Sequence, residues 1–430
     1  MSSEQKPVTT RSSYQKTIYD SRQPPPLGTV DVDKAERIAR EKLRDRQDAY
    51  MYVFGSAGTA STHDHNRREF DKWKIIPRML RNVTSRKLET TLFGVKYPSP
   101  LLLAPIGVQG IVHSDGEEAS AAAASNVGVP YIMSTASTRS IELVARANGS
   151  GPRWYQLYWP VSNDITLSIL SRVKKAGFSA LVVTLDTMLL GWRPHDIDTA
   201  YLPFFHGVGA QVGLTDPVYM AHKGLKPYSE DDKPAWPYVP NHLDELIRNG
   251  DKDAQERSML GNGWISETTP GVFKTWDDLP FLRQHWNGPL VLKGIMCRQD
   301  AELAIDNGVD GIVVSNHGGR QVDGSISSLY ALHQIMQSPK VKEAQASGKL
   351  TILFDSGIRT GSDIIKAVAL GAQGVLYGRP YIYALAIGGQ IGVESQLRAI
   401  LADLDITLGL VGYKDLDEIR GKADEILVKD

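Results

Sequence analysis

The chain has one cysteine, Cys297, and almost no net charge, with 48 Lys and Arg against 49 Asp and Glu in 430 residues. A single thiol cannot close an internal disulfide or build a cysteine-based metal site, so a reducing compartment is favoured and Cys297 reads as core packing. The charge balance leaves no basic field for nucleic acid and no positive cluster for anionic lipid. No apolar run approaches the length of a membrane span, and the first residues lack the apolar stretch of a secretory signal. The final residues, Leu427-Val428-Lys429-Asp430, are not a peroxisomal address. These absences lead to the expectation of a cytoplasmic protein without membrane, nucleic-acid or metal partners.

What is present is a 42% hydrophobic composition, enough for a large core. Eight short apolar runs read as strands: Leu101–Pro105, Tyr131–Thr135, Trp154–Tyr158, Ala180–Asp186, Leu290–Gly294, Gly311–Ser315, Thr351–Asp355 and Gly374–Gly378. Between most of them lie helix-length segments such as Gly116–Asn126, Ser162–Ala176, Arg298–Asn307 and Gly361–Leu370, several opened by Ser, Asp or Gly. Eight strand-then-helix units predict an α/β fold of the (β/α)8 TIM-barrel class rather than an open doubly wound sheet. Residues 33–90, with a helical pattern over Ala35–Ala49, read as an N-terminal helical cap, and residues 1–32 as an extended arm. Residues 33–430 then form a single domain.

One connection breaks the rhythm. About 95 residues separate Arg193 from Leu290, where a strand-helix-strand crossover needs a few tens. This inserted loop after strand 4, about residues 194–275, contains Pro234, Trp236, Pro237, Tyr238 and Pro240. A disordered spacer would hold fewer aromatics, so a lid folded over the barrel mouth is expected.

The chemistry concentrates in Ser315-Asn316-His317-Gly318-Gly319-Arg320-Gln321-Val322-Asp323-Gly324, which follows the strand-like Gly311-Ile312-Val313-Val314. His317 can take a proton and Arg320 can hold an anion beside it, at the strand end where α/β proteins keep their sites. The run resembles the signature of the FMN-dependent α-hydroxy acid oxidoreductases. Six further segments agree with that family in order: Ala104-Pro105-Ile106-Gly107, Gln156-Leu157-Tyr158, Thr184-Leu185-Asp186-Thr187, Lys293-Gly294, Asp355-Ser356-Gly357-Ile358-Arg359 and Gly378-Arg379-Pro380. The resemblance covers roughly residues 35–400. The segment Leu185–Pro194 and the insertion after it share most with the lactate 2-monooxygenase branch.

The resemblance implies FMN as cofactor and a small 2-hydroxy acid and dioxygen as reactants. An FMN phosphate is a dianion, and Gly357, Arg359, Gly378 and Arg379 offer backbone N–H groups and guanidiniums for it. Asp355 suits the ribityl hydroxyls, and Ser356 and Ser315 belong to the same cofactor set. Lys293 ends the apolar run Leu290-Val291-Leu292, and a charge there is costly unless it meets an anion; the ring edge at N1 is the implied partner. Ser134, Gln156 and Thr184 would hydrogen-bond the ring, and the Pro105-Ile106-Gly107 backbone would face N5.

For the substrate, Arg320 and Arg193 would clamp the carboxylate, and Tyr158 and Tyr52 would orient it and its hydroxyl. His317 would remove a proton, from carbon or from oxygen. Three residues depart from the oxidase pattern. Gly107 stands where simple oxidases carry Ala, with the expectation of added space near N5. Ala136 stands where glycolate oxidases carry Trp, with the expectation of a wider pocket, and Ser356 replaces a second Gly. The expected reaction is L-lactate to acetate, CO2 and water. The alternatives are an oxidase releasing 2-keto acid and H2O2, and a non-catalytic flavin-binding scaffold. A homotetramer is implied by the resemblance alone.

Overall fold

The computed structural model describes residues 10–430. Eight parallel strands close into a barrel: β1 Leu101–Leu103, β2 Tyr131–Ser134, β3 Arg153–Leu157, β4 Leu181–Thr184, β5 Leu290–Ile295, β6 Gly311–Val314, β7 Thr351–Phe354 and β8 Gly374–Tyr377. They neighbour one another in chain order, and β8 pairs back onto β1 through Val375 opposite Leu101. Each expected strand is present, with ends that differ by a residue or two. The helices Gly116–Val127, Asn163–Lys175, Arg298–Asp306 and Gly361–Ala369 pack outside as the spacing predicts.

Period-two alternation divides the strand residues between two cores. Leu102, Ile132, Trp154, Val182, Val291, Val313, Leu353 and Leu376 fill the barrel interior. Their neighbours, such as Leu103, Tyr131, Leu181 and Ile312, face the helices in the larger core. A hairpin, Thr90–Leu92 with Val95–Tyr97, adds Leu92 and Tyr97 to the interior cluster. Its turn has positive φ at Phe93 (51°) and Gly94 (76°), the twist that two-residue hairpins need.

Three expectations need correction. Residues 1–9 of the arm lie outside the described residues, but Ser13–Ser21 is helical (α1) rather than extended. None of its side chains is buried. Polar docking holds the segment instead: Tyr14 Oη lies 3.0 Å from Ser395 Oγ, and the Ser12 N–H donates to Asp405 at 2.8 Å. Composition is blind to such docking.

The helical pattern over Ala35–Ala49 is two helices, α2 (Val32–Lys42) and α3 (Gln47–Phe54), split by a turn at Arg44–Arg46 where Arg46 leaves the helical region at φ −142°. Arg-Asp-Arg is compatible with a helix, so the break leaves no local signal. A further cap helix, α4 (Ser61–Asp71), packs against the turn at His317–Gly319 and the helix Ser328–Ile335.

The insertion is helical, not a loop. Its helices are Pro194–Asp198, Gln211–Leu214, Pro217–His222, Pro240–Arg248 and Lys252–Thr268. Tyr219, Leu260 and Trp264 are buried in the main core, and Trp264 packs so closely on Gly213 that a Cβ there would lie 2.4 Å from its ring. The segment is thus part of the domain's core rather than a detachable flap.

Candidate active site

The site follows from the alternation inside the barrel. Two residues beyond each innermost hydrophobic, the strand ends place Ala104, Ser134, Gln156, Thr184, Lys293, Ser315, Asp355 and Gly378 in one inward layer. The layer is mostly polar because it floors a cleft that opens at the strand ends. Lys293, Asp355 and Gly378 line the cleft directly.

Ser134, Gln156 and Thr184 lie in the same layer but do not line the cleft. Ser134 Oγ donates to Gln156 Oε1 at 3.0 Å, which leaves Gln156 Nε2 a buried donor without a partner, and Thr184 Oγ1 is buried and unpartnered as well. Buried groups of this kind cost free energy unless a ligand satisfies them. Ser315, expected among the cofactor contacts, does not line the cleft either. Its hydroxyl accepts the His317 N–H at 3.1 Å, so it supports the following loop.

Lys293 is nearly fully buried. A bulge at Gly294 (φ +110°) shifts the β5–β6 register just after it and brings the lysine between two carboxylates, 3.7 Å from Asp186 and 3.6 Å from Asp355. The cost of a buried charge is thus met inside the protein, by anions that the strand pattern did not reveal. Despite burial, its pKa is raised by these two carboxylates.

His317 sits at φ +59°, followed by Gly318 at +67° and Gly319 at +77°. Glycine is required at 319, because a Cβ would lie 2.6 Å from the backbone N of His63 on α4. The imidazole Nδ1 is 2.7 Å from Asp186 Oδ1 and 3.2 Å from Thr187 Oγ1. Burial lowers the histidine pKa and the Asp186 charge opposes that shift. Burial acts to raise the Asp186 pKa, but His317 and Lys293 together hold it far below the usual carboxylate range.

Beside His317 the cleft gathers Arg320, Arg193, Tyr158 and Tyr52. Arg320 donates to Gly55 O at 2.5 Å and stands over the Tyr52 ring at 5.7 Å. Burial and the neighbouring Arg193 and Arg379 charges pull its pKa down to about 9, a penalty that a bound anion would relieve. Arg193 is held by Gln321 Oε1 at 2.7 Å and Arg320 O at 3.2 Å. At the last two strand ends, Ser356, Gly357, Arg359, Gly378 and Arg379 line the other side of the cleft. Here His63 is pushed down to about 3 by burial and by Arg379, Arg359 and Arg67, which marks a positive region in which Asp363 pairs with Arg67 at 2.8 Å. Arg379 is turned toward the carbonyls of Val53, Gly55 and Gly318.

The expected space at Gly107 is not there. A Cβ on Gly107 would lie 2.5 Å from Ala136 Cβ and 2.7 Å from Ala136 O, because the two strand-end loops are joined by the Val108 N–H to Ala136 O at 2.8 Å. The insertion closes on Ala136 too: a Cβ on Gly209 would lie 3.3 Å from both Ala136 O and Phe204. Pro105 and Ile106 line the cleft beside Gly107, and Phe204, Trp264, Ile265, Thr268 and Thr269 bring the insertion to the same cleft.

Several residues that shape the site carried no role in the sequence reading. Asp186 sits just past a strand end, a position that was itself a signal. Asn66 and Asn316 exchange reciprocal amide hydrogen bonds, both 2.8 Å, that tie α4 to the His317 loop. Gln321 Nε2 also donates to Asp186 O at 2.7 Å.

The sequence profile described as FMN-dependent dehydrogenase matches residues 39–425. The chain is 44% identical over 405 residues to an FMN-dependent alpha-hydroxy acid dehydrogenase of Penicillium citrinum, covering 94% of this chain and 92% of the relative. It is 38% identical over 397 residues to an L-lactate oxidase of Lysinibacillus sphaericus, covering 92% of each. Among solved structures, mandelate oxidase superposes with a TM-score of 0.73 at 31% identity, covering 94% of this chain and 98% of that one.

Proposed function

The chain belongs to the FMN-dependent dehydrogenase family, and from that premise we propose that it oxidises a small L-2-hydroxy acid with dioxygen as final acceptor, converting L-lactate to acetate, CO2 and water. The observation that carries the reading is the buried His317–Asp186 pair set beside two guanidiniums in one cleft. Membership in this enzyme family sets aside a non-catalytic scaffold.

The residues fit the cofactor. The buried, unpartnered Gln156 Nε2 and Thr184 Oγ1 suit the polar edge of a flavin ring, with Ser134 orienting the glutamine and Lys293 supplying a cation. The positive region around Arg359 and Arg379, with the N–H groups near Gly357 and Gly378, suits the phosphate; Ser356 belongs to that loop, Asp355 would suit the ribityl chain, and the Pro105–Gly107 backbone, which also lines the cleft, would meet the ring. When bound, FMN supplies the two-electron acceptor.

The protein's own contribution is binding and proton transfer. Arg320 and Arg193 hold the substrate carboxylate, which relieves the repulsion between their charges, and Tyr158 and Tyr52 orient it. Asp186 holds Nδ1 of His317, so Nε2 is the atom that takes the substrate proton. Burial lowers the histidine pKa and so favours the neutral imidazole, the form a base requires.

The outcome depends on product release. Phe204, Trp264, Ile265, Thr268 and Thr269 of the insertion line the cleft, which supports a site that retains the keto acid until peroxide attacks it. The relatives named lactate oxidase and mandelate oxidase support the second reading, in which 2-keto acid and H2O2 leave. The test is anaerobic flavin reduction by L-lactate, followed by product analysis under air. His317→Gln should retain FMN and slow reduction by about 10²-fold or more. Near-normal reduction would make His317 structural, and stoichiometric H2O2 from the intact enzyme would replace the monooxygenase outcome with the oxidase one.

A further inference from the structure

Ser356 holds a conformation that side chains other than glycine rarely adopt. Its φ is +80° at the end of β7, it is almost fully buried, and the next residue, Gly357, has φ +105°. Glycine would take this conformation without strain, so the serine needs another reason to be there. Its hydroxyl provides one. Ser356 Oγ donates to Asp355 Oδ1 at 2.7 Å and accepts the Gly318 N–H at 3.0 Å. Gly318 directly follows His317 and is gripped from its other side as well, where its carbonyl accepts from Arg379 Nη1 at 3.0 Å.

These contacts close a circuit across four neighbouring strand ends. Lys293 Nζ meets Asp355 Oδ2 at 3.6 Å, Asp355 Oδ1 meets the Ser356 hydroxyl, and the hydroxyl holds the Gly318 amide. One peptide back, His317 meets Asp186, whose second oxygen returns to Lys293 at 3.7 Å. Within the circuit the Ser356 hydroxyl is the link that clasps the backbone of the histidine's loop.

We propose that Ser356 is a positioning residue, joining the cofactor-phosphate loop to the His317 loop so that the arrangement of one sets the orientation of the imidazole in the other. The inference rests on the reading of His317 as the base. The peptide joining His317 to Gly318 is held through the Gly318 N–H by Ser356, so a shift of that amide would turn the imidazole relative to Asp186. Without the hydroxyl the loop keeps its Arg379 and Asn316 contacts but loses the tether that faces the cofactor side.

The experiment uses the full chain in both FMN-loaded and FMN-free forms. Ser356→Gly keeps the backbone conformation and its N–H and removes only the hydroxyl. It should lower kcat by about tenfold or more, as expected for one lost buried hydrogen bond at a positioned group. KM and the FMN dissociation constant, from fluorescence titration, should stay within about threefold, a margin below the size of one hydrogen bond, and Tm should not fall. Hydrogen exchange in the peptide spanning residues 315–324 should speed up in both forms. Ser356→Thr restores the hydroxyl with a β-branched side chain at positive φ; it should recover most of kcat while lowering Tm.

Unchanged kcat in Ser356→Gly overturns the proposal. So does a joint loss of kcat, FMN affinity and Tm, which would make the residue a structural support. If Ser356→Thr does not fold, the Gly variant decides alone. His317→Gln separates the two readings: near-normal flavin reduction in that variant removes the base, whereas slow reduction there with normal kcat in Ser356→Gly removes only the positioning role.

Discussion

Replacing Asp186 by Asn tests the centre of the site with the least change in shape. The carboxylate lies 2.7 Å from His317 Nδ1, and its charge is the main force raising the histidine pKa against burial. A hydrogen bond to a charged group contributes about 1.5–3 kcal/mol, and one pKa unit corresponds to about 1.4 kcal/mol. Loss of the charge should therefore lower the His317 pKa further. The neutral imidazole is the active base, so kcat/KM in the parent falls as pH drops through the depressed His317 pKa. In Asp186→Asn that acid limb should move to still lower pH. The base is weaker as well, and losing a hydrogen bond of that size should drop the plateau by about 10- to 10²-fold. Anaerobic stopped-flow reduction of the flavin across the acid and neutral range measures both. An unmoved limb with an unchanged plateau would show that Asp186 does not act on His317 and would refute the pair as the catalytic unit.

Lys293→Met should lower Tm and weaken FMN binding, because two buried carboxylates lose their shared cation, at about 3–5 kcal/mol for such a break. Asp186 is depressed in the fold, so its contribution is present above the ordinary carboxylate pKa and fades as pH falls through its folded value. The Tm gap between parent and variant should thus be widest near neutrality and narrow in acid, and a gap that ignores pH would contradict the pairing. Arg320→Lys should raise KM by about tenfold or more, since an ammonium cannot both keep the Gly55 carbonyl and present a two-pronged face to a carboxylate; steady-state kinetics with L-lactate checks it. Phe204→Ala with Ile265→Ala loosens the insertion at the cleft and should shift products from acetate and CO2 toward pyruvate and H2O2, with anaerobic reduction within about tenfold of the parent. An unchanged product ratio would detach retention from the insertion.

The strands were legible in their apolar runs, whereas the cofactor residues at their ends were named by the family resemblance. Strand residues alternate, so a polar residue two positions past an interior hydrophobic, as in Val182–Thr184 or Val291–Lys293, is written locally as the next layer of the barrel. Motifs at those ends then pointed to FMN and to His317. The break of Ala35–Ala49 at Arg44–Arg46 and the helix at Ser13–Ser21 were illegible because each depends on what the segment packs against. The helices of the insertion were missed through its Pro and aromatic content, which signals turns, although Pro217 and Pro240 open helices in their first turn.

By itself the sequence determined the barrel and the family to which the chain belongs, because periodicity and short motifs are local and survive without knowledge of neighbours. Only the tertiary structure decided which charges meet. Asp186 and His317, 131 residues apart, and Asn66 and Asn316, 250 apart, become partners when the barrel closes and α4 docks against the His317 loop. The same closure set Lys293 between two carboxylates and turned the missing side chain of Gly107 into a contact with Ala136 rather than a space. Pairings of this kind are fixed by the convergence of strand ends in three dimensions, a quantity no spacing along the chain encodes.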